Sequence, residues 1–132
     1  MNATASSELE GCGAALAFDE SHTTRWVSAS GDKAPWIQVD LTRRARANTL
    51  VLAQANSALS MRGHFGAIRR LALSVNGGKP LEVDMGPDEM KMIQIDLGKT
   101  VRVRQIKISA LEFTPGSNGR GVGFSGIELH RL

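Results

Sequence analysis

The chain has 132 residues, 42% of them hydrophobic and 22% charged, which fits one globular domain and excludes a disordered or fibrous chain. The net charge of +3 is mild, and a single cysteine excludes an internal disulfide framework. No apolar run approaches the ~20 residues of a membrane-spanning helix, and the weak basic excess predicts no nucleic-acid partner.

Polar Asn2-Ala3-Thr4 follows Met1 directly, so no signal peptide is read, and the abrupt start predicts a domain cut from a longer protein. Cys12, between Gly11 and Gly13, reads as a small buried or half-buried thiol rather than a nucleophile. The one helical stretch the pattern allows is short, at residues 13–18. From residue 36 onward a period of two takes over. Ile37, Val39 and Leu41 alternate with Trp36, Gln38 and Asp40, which marks a strand with one buried face. Arg43, Arg44 and Arg46 form the only dense basic cluster and read as a solvated turn, the alternative being a patch for an anionic partner.

Residues 50–52, 71–75, 81–83 and 93–97 read as further strands. Asn76-Gly77 between two apolar runs predicts a type I′ hairpin turn. Two segments change phase. Val101 and Val103 share one parity, whereas Ile106 and Ile108 share the other. Phe124 and Ile127 show the same slip. A β-bulge near Arg104-Gln105 and another near Ser125-Gly126 would keep all these side chains in the core. The whole predicts one all-β domain over residues 1–132, an antiparallel sandwich of about eight strands.

Catalytic motifs are missing. Residues 121–126 spell G-x-G-x-x-G, but too little chain follows for the helix a dinucleotide site needs. There is no G-x-S-x-G elbow and no H-E-x-x-H, and His22, His64 and His130 are far apart in sequence. The expectation is a protein that is not an enzyme.

The two ends of the sequence are more specific. Ala15-Leu16-Ala17-Phe18-Asp19, Thr23-Thr24-Arg25-Trp26-Val27-Ser28, Trp36-Ile37-Gln38-Val39-Asp40-Leu41 and the closing Gly123-Phe124-Ser125-Gly126-Ile127-Glu128-Leu129 resemble the coagulation-factor type C, or discoidin, domains and the family 32 carbohydrate-binding modules. The resemblance implies a galactose-binding-like jelly roll whose end loops bind glycans, lipids or proteins, and an extracellular or cell-surface setting. It also implies a structural role for Trp26, while Trp36 stays open between the rim and a sheet face.

The loop at residues 57–66 offers Arg62, His64 and Phe65, and the loop at residues 112–123 offers Phe113, Asn118 and Arg120. Sugar hydroxyls need forked donors and acceptors, and the C–H face of a ring needs an apolar surface; Arg, Asn, His and Phe supply both. The ligand site is therefore expected among Arg62, His64, Phe65, Asn118 and Arg120, the alternative being solvated loops with a Phe turned into the core. The resemblance further implies a structural calcium, with Asp19, Ser21 and Thr24 as ligands. The family's closing carboxylate is here Gly126, so the expectation is weak or absent calcium, with hydrogen bonds from Asp19 holding the loop. An Asp-capped turn that never held metal is the alternative. The leading function is a glycan-binding module. The alternatives are a protein–protein or assembly domain of the same fold, and an anionic-surface binder using Arg43, Arg44 and Arg46.

Overall fold

Period-two alternation should give strands that pack inward on one face, and the computed structural model, which describes residues 1–19, 21, 23–57 and 63–132, has seven of them among those residues. They are β1 (Asn2–Ala5), β2 (Trp26–Val27), β3 (Trp36–Gln54), β4 (Ala67–Val75), β5 (Leu81–Asp84), β6 (Ile93–Thr114) and β7 (Gly123–His130). All pairings are antiparallel. The helical stretch near residue 13 is a single 3₁₀ turn, Ala14–Ala17, whose first N–H donates to Glu8 Oε2 (2.6 Å).

Two pairs of predicted strands are continuous, while the short β1 and β2 are additional to the predicted segments, so the count is seven where about eight were expected. The segments at 36–41 and 50–52 are one strand, β3, and those at 93–97 and 101–108 are one strand, β6. Their register shows how. Trp36–Asp40 pairs with Gln105–Ser109, whereas residues 45–52 pair with residues 93–103. The first half of β3 and the second half of β6 join β1, β4 and β5 in one layer. The remaining halves join β7 and β2 in the other. Both long strands thus start and finish at the same end of the sandwich and bend at the far end. Facing side chains such as Ile37, Leu73 and Ile108 from one layer and Leu52, Val103 and Phe124 from the other close the main core of the jelly-roll sandwich that the patterning predicts.

Both phase slips are resolved as expected. Opposite Arg104 the β3–β6 register jumps between Asp40 and Ala45, and Val103, Ile106 and Ile108 are all buried. Asn76 holds this kink: its Oδ1 accepts from the N–H groups of Arg104 (2.8 Å) and Gln105 (3.2 Å), and its Nδ2 donates to Arg102 O (2.9 Å). Asn76 (φ 55°) and Gly77 (φ 72°) are both left-handed, and Gly78 N–H donates to Val75 O, as a type I′ turn requires. In β7 the register against β3 shifts at Ser125, so Phe124 and Ile127 both reach the core.

The glycines of the 121–126 stretch have a packing role. A Cβ on Gly121 would lie 2.2 Å from Ser28 Oγ, and one on Gly123 only 1.8 Å from Trp26 O. Backbone contact this close lets β7 lie against β2. It also lets Trp26, 1% exposed, stack on Phe124 at 6.2 Å while its Nε1–H donates to Ser7 O. Trp36 lies on the outer sheet face with Lys107 Nζ 4.8 Å above its ring, which settles its position in favour of the sheet. Among the described residues no helix is long and apolar enough to cross a membrane.

Candidate functional site

The β-strands deliver four connections to one end of the sandwich: residues 28–35, 55–66, 85–92 and 115–122. Backbone hydrogen bonds tie the second of these to the last. Gly66 N–H donates to Gly121 O (2.7 Å), and Ser117 N–H lies within reach of Gly63 O (2.9 Å) and His64 O (3.1 Å). The two loops expected to form a site therefore meet.

Two buried side chains hold this junction. Asn56, wholly buried, receives Phe65 N–H on Oδ1 (2.9 Å) and donates from Nδ2 to Phe65 O (3.0 Å) and Glu89 Oε2 (2.8 Å). Glu89, 7% exposed, accepts Gly63 N–H on its other oxygen (2.8 Å). A buried carboxylate is stable only with such donors around it, and here the donors come from the loop that it fixes.

Against this frame lies a hollow of about 470 Å³, lined by Gly31, Asp32, Lys33, Phe113, Pro115, Gly119, Arg120 and Gly121. Phe113, which also packs against the core, and Pro115 supply its apolar lining. Arg120, Lys33 and Asp32 give it a charged rim. Arg120 is steadied by its own loop, with Nη1 donating to Ser117 O (3.2 Å). Asp32 accepts from Ser6 Oγ (2.7 Å), Ser7 Oγ (2.5 Å) and Ala34 N–H (3.1 Å). Burial alone would raise the Asp32 carboxyl, but these three hydrogen bonds outweigh it and hold the group below its ordinary value. The hollow thus presents a fixed anion and two cations around an aromatic ring.

The expected ligand residues divide. Arg120 lines the hollow. Asn118 is exposed at the tip of the same loop, in a left-handed conformation (φ 58°). His64 is half-buried on the adjoining loop, edge-on to Phe65 at 4.6 Å. Arg62 lies outside the described residues. Phe65 is a correction: at 7% exposure it packs with Val27 and Ala55 and carries the Arg25 guanidinium over its ring at 5.5 Å. It braces the loop from beneath and presents no face to a sugar. Asp32 and Lys33 were missed. Gly31-Asp32 reads as an ordinary turn, and only the folded chain brings that turn opposite Phe113.

Around the loop after Phe18, Asp19 Oδ1 accepts Ser21 N–H (3.0 Å) and Oδ2 accepts the Thr24 hydroxyl, whose oxygen also lies 3.3 Å from Ser21 O. Ser21 Oγ and Thr23 Oγ1 are 2.9 Å apart. Gly126 pairs with Ala53 and brings no carboxylate, while Glu128 Oε2 is turned to His130 Nε2 (3.2 Å). Among the described residues no group of three or more His, Cys, Asp and Glu side chains is placed to hold a metal. With Gly126 bringing no carboxylate to the loop, the described donors fit six- to eight-fold calcium coordination poorly. Arg25 turns inward, but to Thr23 O (3.1 Å) and the Phe65 ring; burial lowers its pKa, and burial likewise raises that of the neighbouring Cys12 thiol, partly offset by Arg25.

Residues 2–69 match the family model described as F5/8 type C domain. No curated protein sequence matches the chain. Among solved structures, the chitosan-binding module 1 of a chitosanase/glucanase from Paenibacillus sp. IK-5 is 21% identical, with a TM-score of 0.71 over 98% of this chain and 93% of that one. The family 32 module of NanJ from C. perfringens, solved with galactose, is 21% identical with a TM-score of 0.72 over 97% and 91%. A region of the mycobacterial arabinofuranosyltransferase AftD is 23% identical with a TM-score of 0.71, covering 99% of this chain and 11% of that one. At these identities the likeness is one of fold.

Proposed function

Because the chain belongs to the F5/8 type C, or discoidin, family, we propose that it is a non-catalytic module that binds a carbohydrate in the hollow between the 31–33 turn and the 113–121 loop, in an extracellular or cell-surface setting. One observation carries this reading. An aromatic side chain, Phe113, lines one hollow together with a forked cation, Arg120, a second cation, Lys33, and the fixed carboxylate of Asp32. A pyranose has that two-sided character, with C–H groups on one face and hydroxyls around its edge. Arg120 would bridge vicinal hydroxyls, and Asp32 would accept from a hydroxyl or an amine. Asn118, His64 and Arg62 are the proposed contacts for further units of a chain. Two of the similar structures support the class of ligand, since one is a chitosan-binding module and another was solved with galactose. The Asp19, Ser21 and Thr24 loop is read as a hydrogen-bonded brace that holds calcium weakly or not at all.

A glycan array probed at two salt concentrations tests the reading. The expected result is a set of sugars retained at high salt and lost in Phe113→Ala. An array without hits, together with captured protein partners, would overturn it in favour of an assembly domain.

A further inference from the structure

The charge that a sugar in the loop-end hollow should carry is set by the side chains that line it. Arg120 and Lys33 bring two positive charges and Asp32 brings one negative charge, an excess of one. The two kinds of charge are not equally available. Asp32 accepts from Ser6 Oγ and Ser7 Oγ on Oδ2 and from Ala34 N–H on Oδ1. A carboxylate has about four acceptor positions, so roughly one is left for a ligand. Arg120 commits one bond, from Nη1 to Ser117 O, whereas a guanidinium has about five N–H donors. Lys33 is exposed, and among the described residues neither it nor Arg120 has a carboxylate within 4 Å. Both cations stand on pinned backbone. Lys33 lies inside the turn that Asp32 Oδ1 closes on Ala34 N–H, and the loop that carries Arg120 is closed by Gly116 N–H on Arg120 O (2.8 Å).

We propose that the hollow selects an acidic sugar, a ring bearing one carboxylate or sulfate group, over neutral and amino sugars; this rests on the carbohydrate reading given above. An anion shared by Arg120 and Lys33 makes charge-assisted hydrogen bonds, about twice as strong as those a hydroxyl makes, and one such group balances the excess charge of the lining. The fork of a guanidinium matches the paired oxygens of either group. The C–H face of the ring then lies against Phe113 and Pro115, and the acceptor position left on Asp32 suits a single ring hydroxyl. An ammonium sugar meets two like charges instead, and a carboxylate whose acceptor positions are mostly filled. Lys33 is thereby the residue that sets specificity, because it supplies the charge beyond what the pairing of Arg120 with Asp32 would cancel.

The test is calorimetric titration of the whole chain with trisaccharide pairs that differ only at C6, galacturonate against galactose and glucuronate against glucose. A galactose trisaccharide sulfated at O6 and a chitosan trisaccharide complete the set. In at least one pair the acidic member should bind about tenfold more tightly at about 50 mM salt. At about 1 M salt, where the screening length is about 3 Å, binding should persist with a smaller preference. Lys33→Ala should cost the acidic member about tenfold and the neutral member less, and Lys33→Arg should restore the preference. Whichever of galacturonate and the O6 sulfate binds more tightly names the anionic group, and either result supports the proposal. Neutral members that bind as tightly as acidic ones, chitosan as the tightest ligand, or a preference unchanged in Lys33→Ala would each overturn the proposal and leave the carbohydrate reading standing. No binding in this set, with neutral sugars still retained on the glycan array, would do the same. No sugar bound in either assay would overturn both.

Discussion

Asn56 is where the architecture of the loop end is most exposed to a single change. Asn56→Ala removes three hydrogen bonds: two neutral ones with the Phe65 backbone and one to the Glu89 carboxylate. The neutral pair is worth about 1 kcal/mol each and the charge-assisted bond about 2 kcal/mol, giving a loss of about 4 kcal/mol. Water cannot readily replace the amide, because Asn56 is wholly buried and Phe65 nearly so. A domain of this size has only about 5–15 kcal/mol to lose. With a urea slope of about 2 kcal/mol per M, the unfolding midpoint should fall by about 2 M. Asn56→Asp is the sharper companion. It keeps an acceptor for Phe65 N–H but sets a second carboxylate against Glu89. Two adjacent buried carboxylates repel when both are ionised, so that variant should be weakest at neutral pH and recover on acidification. Urea titrations followed by tryptophan fluorescence at three pH values read both effects. A midpoint shift under about 0.5 M for Asn56→Ala, or a pH profile for Asn56→Asp that parallels the parent, would refute the role given to this amide.

Other expectations follow from the same geometry. Arg120→Ala should weaken binding of any sugar found on the array by about 1–3 kcal/mol, read by titration calorimetry, since it strips a forked donor from the rim of the hollow; an unchanged affinity removes Arg120 from the site. Asp32 is held below its ordinary pKa, so the stability it contributes is complete above about pH 4, where the unfolded carboxyl ionises, and is lost as pH falls through the lower folded value. Asp32→Asn should therefore flatten the acid limb of a stability–pH curve, and an unaltered limb would show that the serine hydrogen bonds do not favour the anion. Thermal melts with calcium and with chelator should coincide, because Gly126 brings no carboxylate to join Asp19 at the loop. A chelator-sensitive melt with micromolar calcium binding would show the loop to be a metal site.

Local periodicity made the sandwich legible, and even its irregularities. The parity change from Val103 to Ile106 and from Phe124 to Ile127 is itself the record of a bulge, since side chains of opposite parity can share a core only if one residue is skipped. The continuity of β3 was not legible, because Arg43-Arg44-Ala45-Arg46 has the composition of a turn. The ladder nevertheless resumes at Ala45, directly across from Val103. Strands β1 and β2 carry too few residues to show a period. At the candidate site, Arg120 and Phe113 could be picked out by chemistry alone. Asp32, Asn56 and Glu89 could not. Asn56 meets Glu89 33 positions away, and Asp32 meets Ser6 26 positions away, in contacts that no local pattern encodes. Phe65 misled for a related reason: a phenylalanine in a polar loop reads as a ring on display, but the chain folds it under Arg25.

The two long strands carry a consequence for how this domain comes apart. Residues 37 and 52 belong to opposite layers, yet they lie on one strand, and their pairing partners, Ile108 and Ile93, lie on one strand as well. Peeling either layer away would require cutting β3 and β6 at their bends, where Asn76 holds the backbone. The layers therefore have no separate opening reaction, and amide protons of Ile37 and Leu52 should exchange with solvent at the same free energy, that of global unfolding, while those of the exposed 117–119 turn exchange far sooner.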